Sequence, residues 1–397
     1  MTRDEAALVE PIARDAIADR VLAWTAINSG TANLAGLAET AALLADAFAV
    51  LPGALTLEEP QPVETVTAAG KLAPVAHGRH LVLRVRPEAE RRVLLTGHMD
   101  TVYAADHPFQ ASTWLDADRL NGPGAADMKG GLALMLAGLV AFEAGRPTLG
   151  YDVLINSDEE TGSAASAPLI AELARGKIAA LTYEPALPGG GMARARPGSG
   201  NFAAVVTGRA AHAGRNPEDG RNAVVAAGDL ALRLHRARHP ALRINPAKID
   251  GGGPSNSVPA LAVLRVNLRP HGPAEAAEAQ ALLDRLVAEV ACDHDVTIAL
   301  HGHFGRPPKP IDAGAERLFA LVSRAAADLG ESLAWHDTGG VCDGNNIAAC
   351  GVPVLDTMGA RGDFIHSPQE YCDMASLVPR ARLTALVLHR LDRGDGL

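Results

Sequence analysis

Cysteine is scarce and scattered. The 397-residue chain has four, Cys292, Cys342, Cys350 and Cys372, with no Cys-x-x-Cys pair and no regular spacing. That argues against a disulfide framework and a thiolate metal site and favours free thiols of a reducing compartment. Aromatic residues are only 4% of the chain, so few side chains are on hand to stack against a flat heteroaromatic ligand. Positive charge is in deficit, with 36 basic against 46 acidic residues and a formal net charge of −10. An electrostatic nucleic-acid binder would need a basic patch or stripe, so nucleic acid is not an expected partner. No run approaches the ~18 consecutive apolar residues of a membrane span. The segment Met1-Thr2-Arg3-Asp4-Glu5 is charged and leads into an amphipathic stretch without a signal-peptide core. The expected location is therefore the cytoplasm.

What is present describes a globular protein: 48% hydrophobic and 21% charged residues in a chain long enough for two or three domains. Periodicity predicts a helix over about 5–27, a break at Asn28-Ser29-Gly30-Thr31, and a helix from Asn33 to Ala49. Strands follow at Leu55–Glu58, Leu81–Arg86 and Val93–Thr96. An apolar helix, Leu132–Ala144, precedes strands at Tyr151–Asn156 and Ile178–Tyr183. Strands alternating with helices predict an α/β fold with a largely parallel sheet covered on both faces. After Pro188-Gly189-Gly190-Gly191 the pattern changes to strand Phe202–Thr207, helix Ala223–Arg236, strand Ala262–Leu268, helix Ala274–Val290 and strand Val296–Leu300. This reads as an inserted α+β domain over residues 200–305, splitting a main domain into 1–199 and 306–397, with Arg306-Pro307-Pro308-Lys309-Pro310 as the return linker. Helix Ala315–Leu329, strand Ser332–His336, helix Asn345–Ala349, strand Val352–Leu355 and a helix near Leu377–Leu391 complete the alternation.

In parallel sheets, reactive groups gather beyond the carboxyl ends of the strands. There the chain places His98 and Asp100, in Gly97-His98-Met99-Asp100-Thr101-Val102, then Asp127, Glu159, Glu160 and Glu184. With His366 in His366-Ser367-Pro368, these make a ligand set for a pair of divalent metals. A metal-binding imidazole needs its second nitrogen held, which a carboxylate one residue beyond can do. Asp127, flanked by glycine-rich turns, suits a bridging position. The doublet Glu159-Glu160 makes sense if a cation neutralises Glu160 and Glu159 serves as general base. Each residue also has a plainer reading: Asp127 as a helix cap, Glu184 before Pro185 as a surface turn, the doublet as a solvated loop, His366 as structural.

Together the motifs Gly97-His98-Met99-Asp100, Gly122-Pro123-Gly124…Asp127-Met128-Lys129-Gly130-Gly131, Asp158-Glu159-Glu160-Thr161-Gly162-Ser163, Glu184-Pro185 and His366-Ser367-Pro368 resemble the ordered motifs of the M20 family of di-zinc metallopeptidases. The likeness is greatest to its glutamate carboxypeptidase branch, whose relatives include aminoacylase and acetylornithine deacetylase. The resemblance implies a zinc-peptidase-like catalytic domain with an inserted lid domain used for homodimerisation. It implies two zinc ions per subunit, with cobalt or manganese as possible replacements. One would be held by His98, Glu184 and Asp127, the other by Glu160, His366 and the same Asp127. Asp100 would orient His98, and Glu159 would be the general base.

The resemblance further implies that His212, in Gly208-Arg209-Ala210-Ala211-His212-Ala213-Gly214, reaches the neighbouring subunit's site as an oxyanion donor. Asn256 and Arg269 would bind the substrate carboxylate, a task suited to a guanidinium. The glycine-rich loop with Gly339 and Gly340 would lie on the substrate side, and there Cys342 stands where relatives often have Ser or Thr. The implied activity is hydrolysis of the amide bond of N-acyl amino acids or small peptides with a free carboxylate. The few aromatic residues do not favour folate-type substrates. The rivals are a biosynthetic deacylase acting on acetylornithine or succinyl-diaminopimelate, a ureido-type amidohydrolase, and an inactive binding protein.

Overall fold

The computed structural model describes residues 1–395. Its central sheet has six strands in the order Ala54–Glu58, His80–Val85, Gly150–Asn156, Arg92–His98, Ala179–Thr182 and Val354–Leu355. His80–Val85 pairs antiparallel with both neighbours and all other pairings are parallel. One strand therefore runs against five, and the sheet is mixed but mostly parallel. Gly150–Asn156 is buried along its whole length and Arg92–His98 along all but its first residue, as expected of strands with helices on both faces.

One face carries the helices Arg14–Thr25, Gly130–Ala144 and Leu377–Asp392; the other carries Ala167–Ala174 and Asp343–Ala349. By length and composition Ala125–Ala144 is apolar enough to cross a membrane, yet 89% of its most apolar stretch is buried inside this protein. It is the central core helix. Leu132, Leu134, Leu136, Leu139 and Phe142 are fully or almost fully buried, each contributing about 1.5–3 kcal/mol. Gly131 lets this helix pass close to the sheet: a Cβ there would lie 2.3 Å from the Tyr183 carbonyl oxygen.

Several elements differ from expectation. The first helix is two, Arg3–Val9 and Arg14–Thr25, because Pro11 has no amide proton to continue the first. A hairpin, Val63–Val66 with Leu72–Val75, was hidden by its exposed, weakly alternating residues. The strand Leu242–Gly251 was also missed, since Pro246 sits at a bulge in it. Strand Ser332–His336 shrinks to Trp335–His336, and Val352–Leu355 to Val354–Leu355.

A second sheet is built wholly from residues 199–306. It is antiparallel, in the order Leu242–Gly251, Leu261–Pro270, Ser199–Thr207 and Thr297–Arg306. Helices Ala223–Ala237 and Pro273–Asp293 cover one face around Leu230, Leu234, Leu264, Leu268 and Leu283. On the other face Ala203, Val205 and Val263 pack against Val66 of the hairpin. The two chain crossings that join this inserted domain to the main domain lie side by side. Arg196 and Lys309 exchange backbone hydrogen bonds there at 3.1 and 3.0 Å. Both side chains reach the buried Asp356 carboxylate, at 2.7 and 3.2 Å, and the Asn345 amide donates to the Pro197 and Pro307 carbonyls.

Candidate metal centre

The parallel strands deliver their carboxyl ends to one edge of the sheet. His98 closes Arg92–His98, the Asp158-Glu159-Glu160 turn follows Gly150–Asn156, and Glu184 follows Ala179–Thr182. Asp127 comes from the tight turn Ala125–Lys129 just before the core helix; the Asp127–Met128 peptide bond is cis. The turn is entered through Gly124 at φ +73°, where a Cβ would lie 2.7 Å from the Thr101 methyl. Asp127 caps nothing: the helix Gly130–Ala144 has no side-chain cap. Glu184 is no surface turn residue either, with 12% of its side chain exposed.

Two groups of ligand atoms result, His98–Asp127–Glu184 and Asp127–Glu160–His366, each with all its atoms within 4.8 Å of one another. Asp127 belongs to both. His98 Nε2 lies 3.1 Å from Asp127 Oδ1 and 3.9 Å from Glu184 Oε2. His366 Nε2 lies 3.3 Å from Asp127 Oδ2 and 3.2 Å from Glu160 Oε2. His366 stands at φ +63°, an uncommon conformation for a side-chain-bearing residue, though histidine adopts it more readily than most.

The electrostatics favour cations at both positions. Burial alone would make His98 less basic, but its bonds to Asp100, Asp127 and Glu184 outweigh that and raise it well above the usual histidine range. His366 is pushed up to about 10 by Asp127 and then Glu160. Burial, and next the Asp127 charge, push the Glu160 carboxyl up to about 8, and burial also raises Glu159 and Glu184. Each imidazole takes a proton where a positive charge is wanted. Glu184 Oε1 is buried with no hydrogen-bond partner, an acceptor that a cation would satisfy. One imidazole and one carboxylate per ion plus a shared aspartate is a donor set that fits zinc and similar divalent metals.

The surrounding contacts refine the expected roles. His98 Nδ1 meets the Asp100 backbone carbonyl at 2.9 Å, while the Asp100 carboxylate is 3.5 Å away. That carboxylate instead accepts from the Glu159 and Glu160 amides, both at 3.2 Å, and from the Thr31 hydroxyl at 2.7 Å. Asp100 thus steadies the glutamate turn as well as the histidine. Asp158 holds the same turn from below, accepting from Ala165 N at 2.7 Å and Ser166 Oγ at 2.6 Å.

Two further residues went unread in the sequence. Arg306 ends the lid's last strand, and its guanidinium donates to Glu159 Oε1 at 2.6 Å, to Glu159 O at 2.9 Å and to Ser163 Oγ at 3.0 Å. It lies 3.5 Å from Asp343. Taken as part of the linker Arg306–Pro310, it gave no signal beyond a charge before two prolines. Glu370, four residues after His366, is 1% exposed. It accepts from the Ala126 and Asp127 amides at 3.0 Å, from Gly124 N at 3.3 Å and from Tyr103 Oη at 2.7 Å. It ties the His366 loop to the Asp127 turn, and its only sequence signal was nearness to His366.

His212 and Asn256 are not brought to this centre. Both are exposed, in adjoining loops joined by the Ala213 N to Asn256 O bond at 2.9 Å. They lie beyond Thr207, at the far end of a nine-residue strand, about 25 Å along the sheet from its Ser199 end at ~3.3 Å per residue. Arg269 sits at the hinge end, where it donates to Gly339 O at 2.9 Å and to Asn267 Oδ1 at 3.0 Å. Gly339 and Gly340 are exposed, while Cys342 is buried.

Comparison with known proteins agrees with this architecture. A tripeptidase from Staphylococcus aureus superposes with a TM-score of 0.75 at 22% identity, over 96% of this chain and 99% of that one. Carboxypeptidase G2 of Pseudomonas sp. is 33% identical over 343 residues, 84% of this chain and 81% of the relative. A succinyl-diaminopimelate desuccinylase of Cereibacter sphaeroides is 30% identical over 321 residues, 74% of this chain and 82% of the relative. Residues 94–390 match the model of peptidase family M20/M25/M40, a span that takes in every residue gathered around Asp127. The chain is a member of that family, and hence a metal-dependent hydrolase acting on amides or peptides.

Proposed function

We propose that the protein is a zinc-dependent homodimeric hydrolase that cleaves the amide bond of N-acyl amino acids or small peptides with a free carboxylate on the amine half. The observation that carries this reading is the pair of ligand sets sharing Asp127, with Glu159, its side chain 10% exposed, immediately beside Glu160. His98, Glu184 and Asp127 would hold one ion, and Glu160, His366 and Asp127 the other. When bound, the pair would supply Lewis acidity to the carbonyl and acidify an attacking water. Glu159 accepts the proton of that water, and passes it to the amide nitrogen as the C–N bond breaks. Arg306 orients the Glu159 carboxylate and opposes, without cancelling, the burial that raises it. Arg269, at the hinge end of the lid, is suited to the substrate carboxylate, with Gly339 and Gly340 beside it.

His212 and Asn256 lie too far along the lid to serve their own site. This supports their use across a dimer, with His212 of the partner subunit donating to the developing oxyanion. The lid offers an apolar surface for such pairing: Val225 and Leu232 on the helix Ala223–Ala237 and Ile249 on the edge strand Leu242–Gly251 are 54%, 45% and 43% exposed.

The test is a panel of N-acyl amino acids with glutamate, aspartate, alanine and ornithine as the amine half, run on protein with its metal content measured. Cleavage of at least one carboxylate-bearing amide is expected, at two ions per chain. Glu159→Gln should keep both ions and lose about 10²–10⁴-fold in kcat. A fully loaded protein that cleaves none of the panel, or a Glu159→Gln variant of normal activity, would overturn the reading.

A further inference from the structure

The chain enters and leaves the lid at one end only, where the crossings at Arg196 and Lys309 lie together. The other end, beyond Thr207 and Leu261, carries the loops of His212 and Asn256. There Thr207 pairs with Leu261, Gly208 N donates to Ala260 O at 2.8 Å, and Val258 N donates to Ala211 O at 2.9 Å. A body about 25 Å long held at one end magnifies tilt, so that about 5° at the crossings moves the far end by about 2 Å. The hairpin Val63–Val66 with Leu72–Val75 meets the lid close to that far end. Of its two strands only Val66 is buried. It packs on Ala203, Val205 and Val263 of the lid sheet, with Leu261 beside them. The Arg265 guanidinium donates to Val66 O at 2.9 Å and lies 3.4 Å from Asp250. In the hairpin turn Gly70 stands at φ +70°, and a Cβ there would come within 2.8 Å of Val205 Cγ1 and 3.2 Å of Leu261 Cδ1. A lone two-stranded hairpin is marginally stable in water, so this one is ordered by what it leans on. Its root is fixed beside the metal centre: Gln61 N donates to Ala165 O at 3.2 Å, and Ala165 N to the Asp158 carboxylate at 2.7 Å, next to Glu159.

We propose that this hairpin is a positioning brace for catalysis in the neighbouring subunit. Rooted on its own catalytic domain, it fixes the far end of the lid, and so the place at which His212 and Asn256 enter the other subunit's site. The inference rests on the sharing of His212 proposed above. An oxyanion donor works only at hydrogen-bond distance from the developing charge, and a misplacement of about 1 Å can cost about 10²-fold in rate. The crossings alone cannot hold the far end to that tolerance. The hairpin can, because it touches Leu261, the cross-strand partner of Thr207, from which the His212 loop departs. Arg269 and Arg306 lie at the crossing end, near the pivot, so the same tilt scarcely moves them. Loosening the hairpin therefore harms the other subunit's site and spares its own.

The test uses metal-loaded mixed dimers purified through two different tags, the first subunit Glu159→Gln and the second His212→Ala. Their single working site takes Glu159 from the second subunit and His212 from the first. Val66→Ser in the first subunit should lower kcat/KM about 10- to 100-fold, and in the second less than about twofold, at unchanged metal content. Gly70→Val, which displaces the turn instead of loosening the strand, should repeat that asymmetry. Hydrogen exchange needs no turnover: Val66→Ser in otherwise wild-type protein should speed exchange of the Ala213 and Val258 amides at least about tenfold and leave the Glu159 and Glu160 amides unchanged. Equal losses from the two placements, no loss from either, or unchanged exchange at Ala213 and Val258 overturns the brace and leaves the shared site standing. A mixed dimer that is inactive before any hairpin change overturns the sharing of His212, and the brace falls with it.

Discussion

Replacing Glu370 with glutamine separates a residue that positions metal ligands from one that merely fills the core. Four donors converge on this carboxylate, the Tyr103 hydroxyl at 2.7 Å, the Ala126 and Asp127 amides at 3.0 Å and Gly124 N at 3.3 Å. Burial, and next the Asp127 charge, lift the Glu370 carboxyl to about 7. In metal-free protein at neutral pH it is therefore close to half protonated, and a neutral isostere changes that state little. A glutamine turned with its oxygen toward Ala126 and Asp127 keeps both of those bonds. Its amide nitrogen then donates to the Tyr103 hydroxyl, whose proton is released from the carboxylate and turns to Ser367 O, 2.9 Å away. The long bond from Gly124 is the one lost, a neutral bond of about 0.5–1.5 kcal/mol. The metal-free melting temperature should fall by no more than about 1–3 °C.

With metal the balance shifts, because divalent charge on Asp127 favours the ionised form of Glu370 and tightens the turn that presents Asp127. Removing such a supporting partner weakens metal affinity about 10- to 100-fold, or about 1.4–2.7 kcal/mol per ion. The measurements are calorimetric melting with and without metal, and competition for zinc against a chromophoric chelator. Equal loss of melting temperature in both states would make Glu370 a scaffold residue only. Unchanged zinc affinity would refute the positioning argument outright.

Stability of the metal-free protein should fall as pH rises from about 5 to 8. Glu160 sits near 8 in the fold against an ordinary 4.5, so across that window the unfolded chain holds fewer protons than the native one. His366, raised to about 10, acts in the same direction above its ordinary 6.5. Added zinc, which displaces these protons, should give its largest rise in melting temperature at pH 8; a metal-free melting temperature that climbs over the same range contradicts the assignment. For Arg306→Ala, kcat should drop by about 10²-fold and the acid limb of the pH–rate profile should move up, with partial recovery in Arg306→Lys. A profile that keeps its position would remove Arg306 from contact with the base. Mixing His212→Ala with Glu159→Gln subunits should restore about a quarter of wild-type activity, since half of random dimers are mixed and each holds one intact site. No recovery after verified subunit exchange would rule out sharing of His212.

The sequence by itself determined the fold class and the edge of the sheet where chemistry collects. Apolar runs ending in His98, Glu159-Glu160 and Glu184 are local patterns, and a parallel sheet sends all such ends to one side. Family motifs then assembled the ligand candidates, and the structure brings His98, Asp127, Glu160, Glu184 and His366 together as two groups around one aspartate. Local patterns did not resolve the hairpin at 63–75 or the strand Leu242–Gly251, whose residues are half exposed and interrupted by proline. Only the tertiary structure decided that Asp100 turns its carboxylate to the glutamate amides, and that Arg306 and Glu370 close on Glu159 and on the Asp127 turn. The separation of His212 from its own metal ligands, and the packing of the hairpin against the lid, were settled there too. Each depends on chain segments many residues apart meeting in space, and periodicity reports how a residue is buried, not which distant partner buries it.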